Sequence, residues 1–202
     1  MRENCFFDKP IMFITRGGDA LFKGERMEKD NMGCLHVICG SGKGKTSAAV
    51  GMAVRALGAG LRVMFVQFLK DGTSSEVSAL SRLGAEIRAV SGRYGFTWEL
   101  SASERQALCT EHNALLSQAL SFMEGGGMLV LDELSAAYNE DLADRALVEM
   151  VIAKRRDCRC EVVVTGREPA RLFLDGADYI SEIACVRHPY ERGQNARRGI
   201  EF

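Results

Sequence analysis

An α/β fold, with a mostly parallel sheet and helices on both faces, is predicted by three features of this 202-residue chain. From Gly33 onward, apolar runs of strand length alternate with helical stretches. One strand-to-helix junction carries a glycine-rich loop, and another apolar run ends in two adjacent carboxylates. Such alternation sets parallel strands side by side and leaves the ligand crevice at their carboxyl ends.

Strands are expected at about residues 35–39, 62–68, 85–90, 127–132, 160–165 and 178–186, from apolar runs bounded by turn residues. Helices are expected at about 45–59, 77–83, 102–124, 142–155 and 168–175. Gly58 and Gly60 end the first helix, and Gly125-Gly126-Gly127 ends the long third one. In that third helix Leu108, His112, Leu115 and Ala119 share one stripe, so His112 reads as a packing histidine, not a ligand. Nothing divides residues 33–202 into smaller units: there are no repeats, low-complexity runs or linkers.

Residues 1–32 break the pattern and read as an N-terminal extension, with one apolar patch, Ile11-Met12-Phe13-Ile14, before a polar stretch. Lys23-Gly24-Glu25 can be encoded by a purine-rich run containing a bacterial ribosome-binding sequence just ahead of Met27. Translation from Met27 is the expectation that follows, and a native peptide from before Met27 would refute it.

Composition sets the class. With 47% hydrophobic and 26% charged residues the chain suits an ordinary globular domain. A net charge of −1 gives no global field to attract nucleic acid or an anionic membrane, so neither is expected as a partner. No apolar run approaches the ~20 residues of a membrane span, and no secretory signal pattern is present, so a cytoplasmic location is expected. The seven cysteines lack Cys-x-x-Cys spacing and read as reduced thiols; Cys158-Arg159-Cys160 alone is too few ligands for a metal.

The chemistry centres on Cys39-Gly40-Ser41-Gly42-Lys43-Gly44-Lys45-Thr46, between the run Leu35-His36-Val37-Ile38 and an Ala-rich helix. Strand, glycine loop and helix in that order gather backbone N–H groups and a helix N-terminus around one point, which suits a chain of phosphates. Gly40, Ser41, Gly42, Lys43, Gly44, Lys45 and Thr46 are therefore the expected ATP-binding residues, with Lys45 as a point charge on phosphate and Thr46 as a hydroxyl for Mg2+ or Mn2+. The general P-loop spacing would put its first glycine at Cys39. A bare glycine turn ahead of a helix would also need this loop, though not Lys45 and Thr46.

Met128-Leu129-Val130-Leu131-Asp132-Glu133 is an apolar strand ending in carboxylates, which at that position hold a divalent cation. Asp132 is the metal-side candidate. Glu133 is either a second metal-side group or, in a hydrolytic ATPase, the residue that activates water; the pair would otherwise cap the segment that follows. Val162-Val163-Val164-Thr165-Gly166-Arg167 ends in an arginine that the strand-end rule turns toward the crevice, to grip phosphate, or else is a surface charge. Gly95-Phe96-Thr97-Trp98 holds the only tryptophan, in a predicted loop. It either packs onto the domain or offers a platform for a large flat ligand. The basic stretch Arg187 to Arg198 reads as a solvated face or a phosphate contact.

Six stretches taken together are specific. Residues 40–46, Val66-Gln67-Phe68-Leu69-Lys70, Gly95-Phe96-Thr97-Trp98, Leu131-Asp132-Glu133-Leu134, Thr165-Gly166-Arg167 and Gly199-Ile200-Glu201-Phe202 run in order over 33–202 and resemble the ATP:corrinoid adenosyltransferases of the P-loop, cobalamin-biosynthesis type. Two departures stand out: Ser41 where the family commonly has Asn, and Ser75-Glu76 where it usually has Gly-Glu.

The resemblance implies a single P-loop NTPase-like, RecA-like domain. It implies transfer of the 5′-deoxyadenosyl group of ATP to the Co(I) centre of a corrinoid, with release of triphosphate, in adenosylcobalamin biosynthesis or salvage. It also implies ATP laid into the loop in the reverse sense from hydrolytic relatives, with Lys45, Glu133 and Arg167 in catalysis and Thr46, Asp132 and Glu133 around the metal. Phe96 and Trp98 would contact the corrinoid and displace its lower axial ligand, and the corrinoid's amide rim becomes a further candidate contact for the basic stretch Arg187 to Arg198. The implied partners are cob(I)alamin or cobyrinic acid a,c-diamide, an electron-donating flavoprotein reductase, and a second copy in a homodimer. The alternative is a RecA-like P-loop ATPase or regulatory nucleotide switch, in which Glu133 activates water and the aromatic loop binds a protein.

Overall fold

The computed structural model describes residues 33–92, 94–95 and 97–201. The extension expected over 1–32, and the start expected at Met27, lie outside the described residues. Six described strands, β1 (Leu35–Cys39), β2 (Val63–Gln67), β3 (Glu86–Ala89), β4 (Gly127–Asp132), β5 (Cys160–Thr165) and β6 (Tyr179–Glu182), form one sheet in the order β3-β2-β4-β5-β1-β6. Every pairing is parallel. Between them run α1 (Lys45–Gly58), α2 (Ser75–Arg82), α3 (Ala102–Met123), α4 (Leu134–Asn139), α5 (Arg145–Lys154) and α6 (Arg171–Gly176).

The run Val162-Val163-Val164 shows why the central strands read as unbroken apolar stretches. Val163 joins a core with Phe65, Val130, Ala49, Ala53 and Leu80, under α1 and α2. Val162 and Val164 point the other way and join Leu116, Met123, Val151 and Phe173, under α3, α5 and α6. A strand covered on both faces keeps no polar side, and each buried valine contributes about 1.5 kcal/mol or more. The small residues Ala49, Ala53 and Ala56 let α1 lie close against the sheet. The edges are less covered: β3 is half-buried and β6 exposed.

Several boundaries differ from expectation, each for a local reason. β6 stops at Glu182 instead of running to 186, because the chain turns under the phosphate loop, where Ile183 O accepts a hydrogen bond from Gly42 N–H at 2.7 Å. α6 begins at Arg171, after Pro169, which disfavours helical geometry in Glu168. α5 begins three residues late because Asp144 Oδ1 caps it, accepting from Leu147 N–H at 3.0 Å. The six-residue α4 and a 3-10 turn at Thr97–Glu99 had no helical signal of their own.

α3 matches its expected span and starts with a capping box in which Ser101 and Glu104 bond reciprocally. His112 is fully buried on its inner stripe, as its spacing predicts. Its Nε2 accepts from Leu69 N–H at 3.3 Å, so the proton sits on Nδ1, which donates to Leu142 O at 2.8 Å. Burial pushes its pKa down and so favours the neutral ring, against the opposing pull of the Leu142 carbonyl.

Candidate functional site

The strand order sets the carboxyl ends of β2, β4, β5 and β1 side by side, which brings Lys70, Asp132, Thr165 and the glycine loop into one crevice. Gln67 lies opposite Asp132 in register, and Ile38 opposite Thr165. The first subtlety of the loop lies at Cys39. It is the last residue of β1, in ladder with Glu182, so it needs no glycine freedom. Positive φ falls instead at Gly40 (101°) and Gly44 (120°). Gly42 is required for space: a Cβ there would lie 2.6 Å from the Ala184 carbonyl oxygen.

Lys45 is 8% exposed, and its Nζ donates to Gly40 O and Gly42 O at 2.9 Å each. Burial, partly offset by Glu133, lowers its pKa. Gly44 caps α1 with no side-chain acceptor, so the first N–H groups of that helix face the loop mouth without an internal acceptor. Arg167 follows β5; its carbonyl accepts from Gly40 N–H at 3.0 Å, while its side chain lines the same small cavity as the loop. That cavity, of about 250 Å³, is closed by Glu133, His188 and Ile200.

Asp132 is fully buried and fully used. Its Oδ1 accepts from Thr46 Oγ1 and Thr165 Oγ1, each at 2.8 Å, and its Oδ2 from Lys70 Nζ at 2.7 Å. Neither carboxylate caps α4 by its side chain, so the capping alternative does not describe this pair. Glu133 takes a left-handed conformation (φ 62°), its N–H donating to Thr165 Oγ1 at 2.8 Å. Burial first, then the Asp132 charge, raises the pKa of its side chain.

A larger cleft, about 880 Å³, opens beside the loop and shares Thr46, Ser47, Ile200 and Glu201 with the smaller one. Its other walls include Lys70, Glu76, Val90 and Tyr94. Gln67 Nε2 donates to Ser74 Oγ (2.9 Å) and Glu76 Oε1 (3.1 Å), which fixes the start of α2 along this wall. Glu111 accepts from Tyr94 OH at 2.6 Å and from Ser91 Oγ at 2.9 Å, anchoring the opposite loop to α3. Trp98, three-quarters exposed, is not among the cleft's lining residues, and Phe96 lies outside the described residues.

The expected loop residues, Lys45, Thr46, Asp132, Glu133 and Arg167 thus meet in one place, while Trp98 stands apart on its 3-10 turn. Lys70, Thr165 and Ile200 join them without having been assigned a role from sequence, and His188 joins them from the basic stretch for which a phosphate contact is one of the readings. For Lys70 and Thr165 the signal was available: Lys70 closes one of the quoted strand-end motifs and Thr165 opens another.

The model of one family, ATP:corrinoid adenosyltransferase BtuR/CobO/CobP, matches residues 31–202. This chain belongs to that family. Among corrinoid adenosyltransferases, that of Pseudomonas aeruginosa is 35% identical over 177 residues, covering 86% of this chain and 86% of the relative. That of Escherichia coli K12 is 37% identical over 180 residues, and the enzyme CobA of Salmonella typhimurium 35% over 182; each alignment covers 86% of this adenosyltransferase and 88% of the relative. No helix among the described residues is long and apolar enough to cross a membrane.

Proposed function

We propose that the loop 40–46 grips the triphosphate of ATP so that the ribose C5′, and not a phosphorus, is presented to the reduced cobalt of a corrinoid in the neighbouring cleft. Adenosyl transfer from ATP to a corrinoid is the family's reaction. In it the Co(I) electron pair forms a bond to C5′, the C5′–O5′ bond breaks, and its electrons leave on triphosphate. The nucleophile carries no proton to remove, so no base is needed. The protein's task is to place the two reactants and to meet the charge that gathers on the leaving oxygen.

The residues present suit that task. Loop N–H groups, the helix terminus, Lys45 and Arg167 converge on one small cavity. Thr46 and Asp132 offer hard oxygen donors 2.8 Å apart, and the cation already paired with Asp132, the Lys70 ammonium, shows that positive charge is accepted there. These oxygens fit Mg2+ or Mn2+, with Glu133 next in line, and such an ion would supply charge neutralisation on the triphosphate. Among the described residues no group of three or more His, Cys, Asp or Glu could hold a metal, so phosphate oxygens would have to complete the set.

The large cleft suits the corrinoid. The roles of Phe96 and Trp98 on its lower face, excluding the fifth ligand and easing reduction to Co(I), rest on the family resemblance, and Trp98, outside the cleft lining here, would have to close onto the bound corrinoid. The wider assignment includes a domain of 33–202, a cytoplasmic homodimer, and delivery of the electron by a flavoprotein reductase. The observation that carries the reading is the meeting of phosphate loop, Thr46–Asp132 pair and Arg167 at the edge of an 880 Å³ cleft. The test is incubation with ATP, Mg2+ and cob(I)alamin. A light-sensitive cobalt–carbon spectrum with intact triphosphate supports it; ADP and phosphate with unalkylated corrinoid overturns it in favour of an ATPase.

A further inference from the structure

We propose that Lys70 is an internal counter-cation that holds the Asp132–Thr46 pair before the metal arrives, so that the divalent ion binds well only together with ATP. The proposal rests on the placement of the metal at Thr46 and Asp132 given above. Its ground is that one ammonium already occupies the pair. Lys70 Nζ lies 2.7 Å from Asp132 Oδ2 and 3.5 Å from Thr46 Oγ1.

A fully buried carboxylate without a counter-charge is costly, because burial removes the water that would otherwise solvate its charge. Thr46 and Thr165 satisfy one oxygen of Asp132 but bring no charge; Lys70 brings it. The other nearby lysine is otherwise engaged, since Lys45 Nζ is turned onto the Gly40 and Gly42 carbonyls. The two lysines thus divide the site, Lys45 facing the phosphate loop and Lys70 the acidic strand end.

The backbone beneath Lys70 is fixed while its side chain keeps an exit. Phe68 N–H donates to Asp132 O at 2.9 Å, and Leu69, with φ 59°, is held by His112 through its N–H. The Lys70 side chain is 34% exposed and lines the large cleft, so its ammonium can rotate on a flexible stem from Asp132 into open space. A divalent ion alone must displace a bonded cation to bind. With ATP, the phosphate charge gives the displaced ammonium a second partner, and the exchange becomes favourable.

The test titrates Mn2+ into the full chain without nucleotide or corrinoid, reading free Mn2+ by EPR, for wild type, Lys70→Gln, Lys70→Met and Lys70→Arg. The expected result is at least tenfold tighter Mn2+ binding in the Gln and Met variants, with the Arg variant as weak as wild type. Equal or weaker binding in both neutral variants overturns the proposal. Should the neutral variants unfold without metal, recovery of native circular dichroism on adding Mn2+ supports it and failure to recover overturns it. Because no corrinoid is present, failed adenosyl transfer alongside tightened Mn2+ binding would leave Lys70's role standing. In a second arm, wild type is dialysed to equilibrium against Mn2+ with ATP, and absence of protein-bound Mn2+ there would instead remove the metal placement and this proposal with it.

Discussion

Thr165→Val replaces the hydroxyl that ties β5 to the Asp132 carboxylate and to the Glu133 backbone N–H, while keeping shape and β-branching. Thr165 is fully buried; it donates to Asp132 Oδ1 and accepts from Glu133 N–H, both at 2.8 Å. Asp132 Oδ1 retains Thr46, so that loss falls near the low end of the about 1.5–3 kcal/mol for a bond to a charged group. The Glu133 N–H is orphaned, at a cost of about 1–3 kcal/mol, on a residue already in a left-handed conformation. The expected total is about 3 kcal/mol, which at a urea slope of about 2 kcal/mol/M moves the unfolding midpoint down by roughly 1.5 M. Thr165→Ser keeps the hydroxyl and loses a buried methyl, for about 1 kcal/mol. A Val variant within about 0.5 kcal/mol of wild type, or a Ser variant as damaged as Val, would refute the reasoning.

Two further outcomes follow. His112→Phe removes the acceptor of Leu69 N–H and the donor to Leu142 O, and should destabilise by about 2–4 kcal/mol near neutral pH. Burial holds the folded His112 pKa below its unfolded value of about 6.5, so its contribution is present above that pH and is lost as pH falls through the folded pKa. The gap between wild type and variant in thermal midpoint should therefore narrow on acidification, and a gap that widens contradicts the assignment. Trp98→Ala, on an exposed turn, should change stability by less than about 0.5 kcal/mol and keep ATP binding. It should lose most activity with Co(II) corrinoid and a reductase, and regain part of it with prepared Co(I); equal loss in both assays tells against its corrinoid role.

What could be read in the sequence was what is written locally. β1, β4 and β5 are covered on both faces, so each is a mainly apolar run, broken early only by the half-buried His36 in β1 and Glu161 in β5, and the loop between β1 and α1 carries its own spacing. Asp132, Glu133 and Arg167 followed from the strand-end rule. The same rule applied to β2 would have reached Lys70, but only the spatial order β2-β4-β5-β1 makes Lys70 a neighbour of Asp132. His188 and Ile200 reach the phosphate cavity from a tail whose basic pattern does not by itself say which of its residues do so, and β6 ends early because a carbonyl at Ile183 is taken by a loop over 140 residues away. Such choices depend on long-range partners, which no local window contains.

The proposed transfer makes the ribose C5′ carbon, not a phosphorus, the electrophile. ATP labelled with 18O at the oxygen joining C5′ to the α-phosphorus decides it, in a turnover with Mg2+ and cob(I)alamin followed by mass spectrometry of the products. All label in intact triphosphate, with none on the nucleoside, is the predicted result. Label retained on the nucleoside, or recovered in ADP, would contradict it.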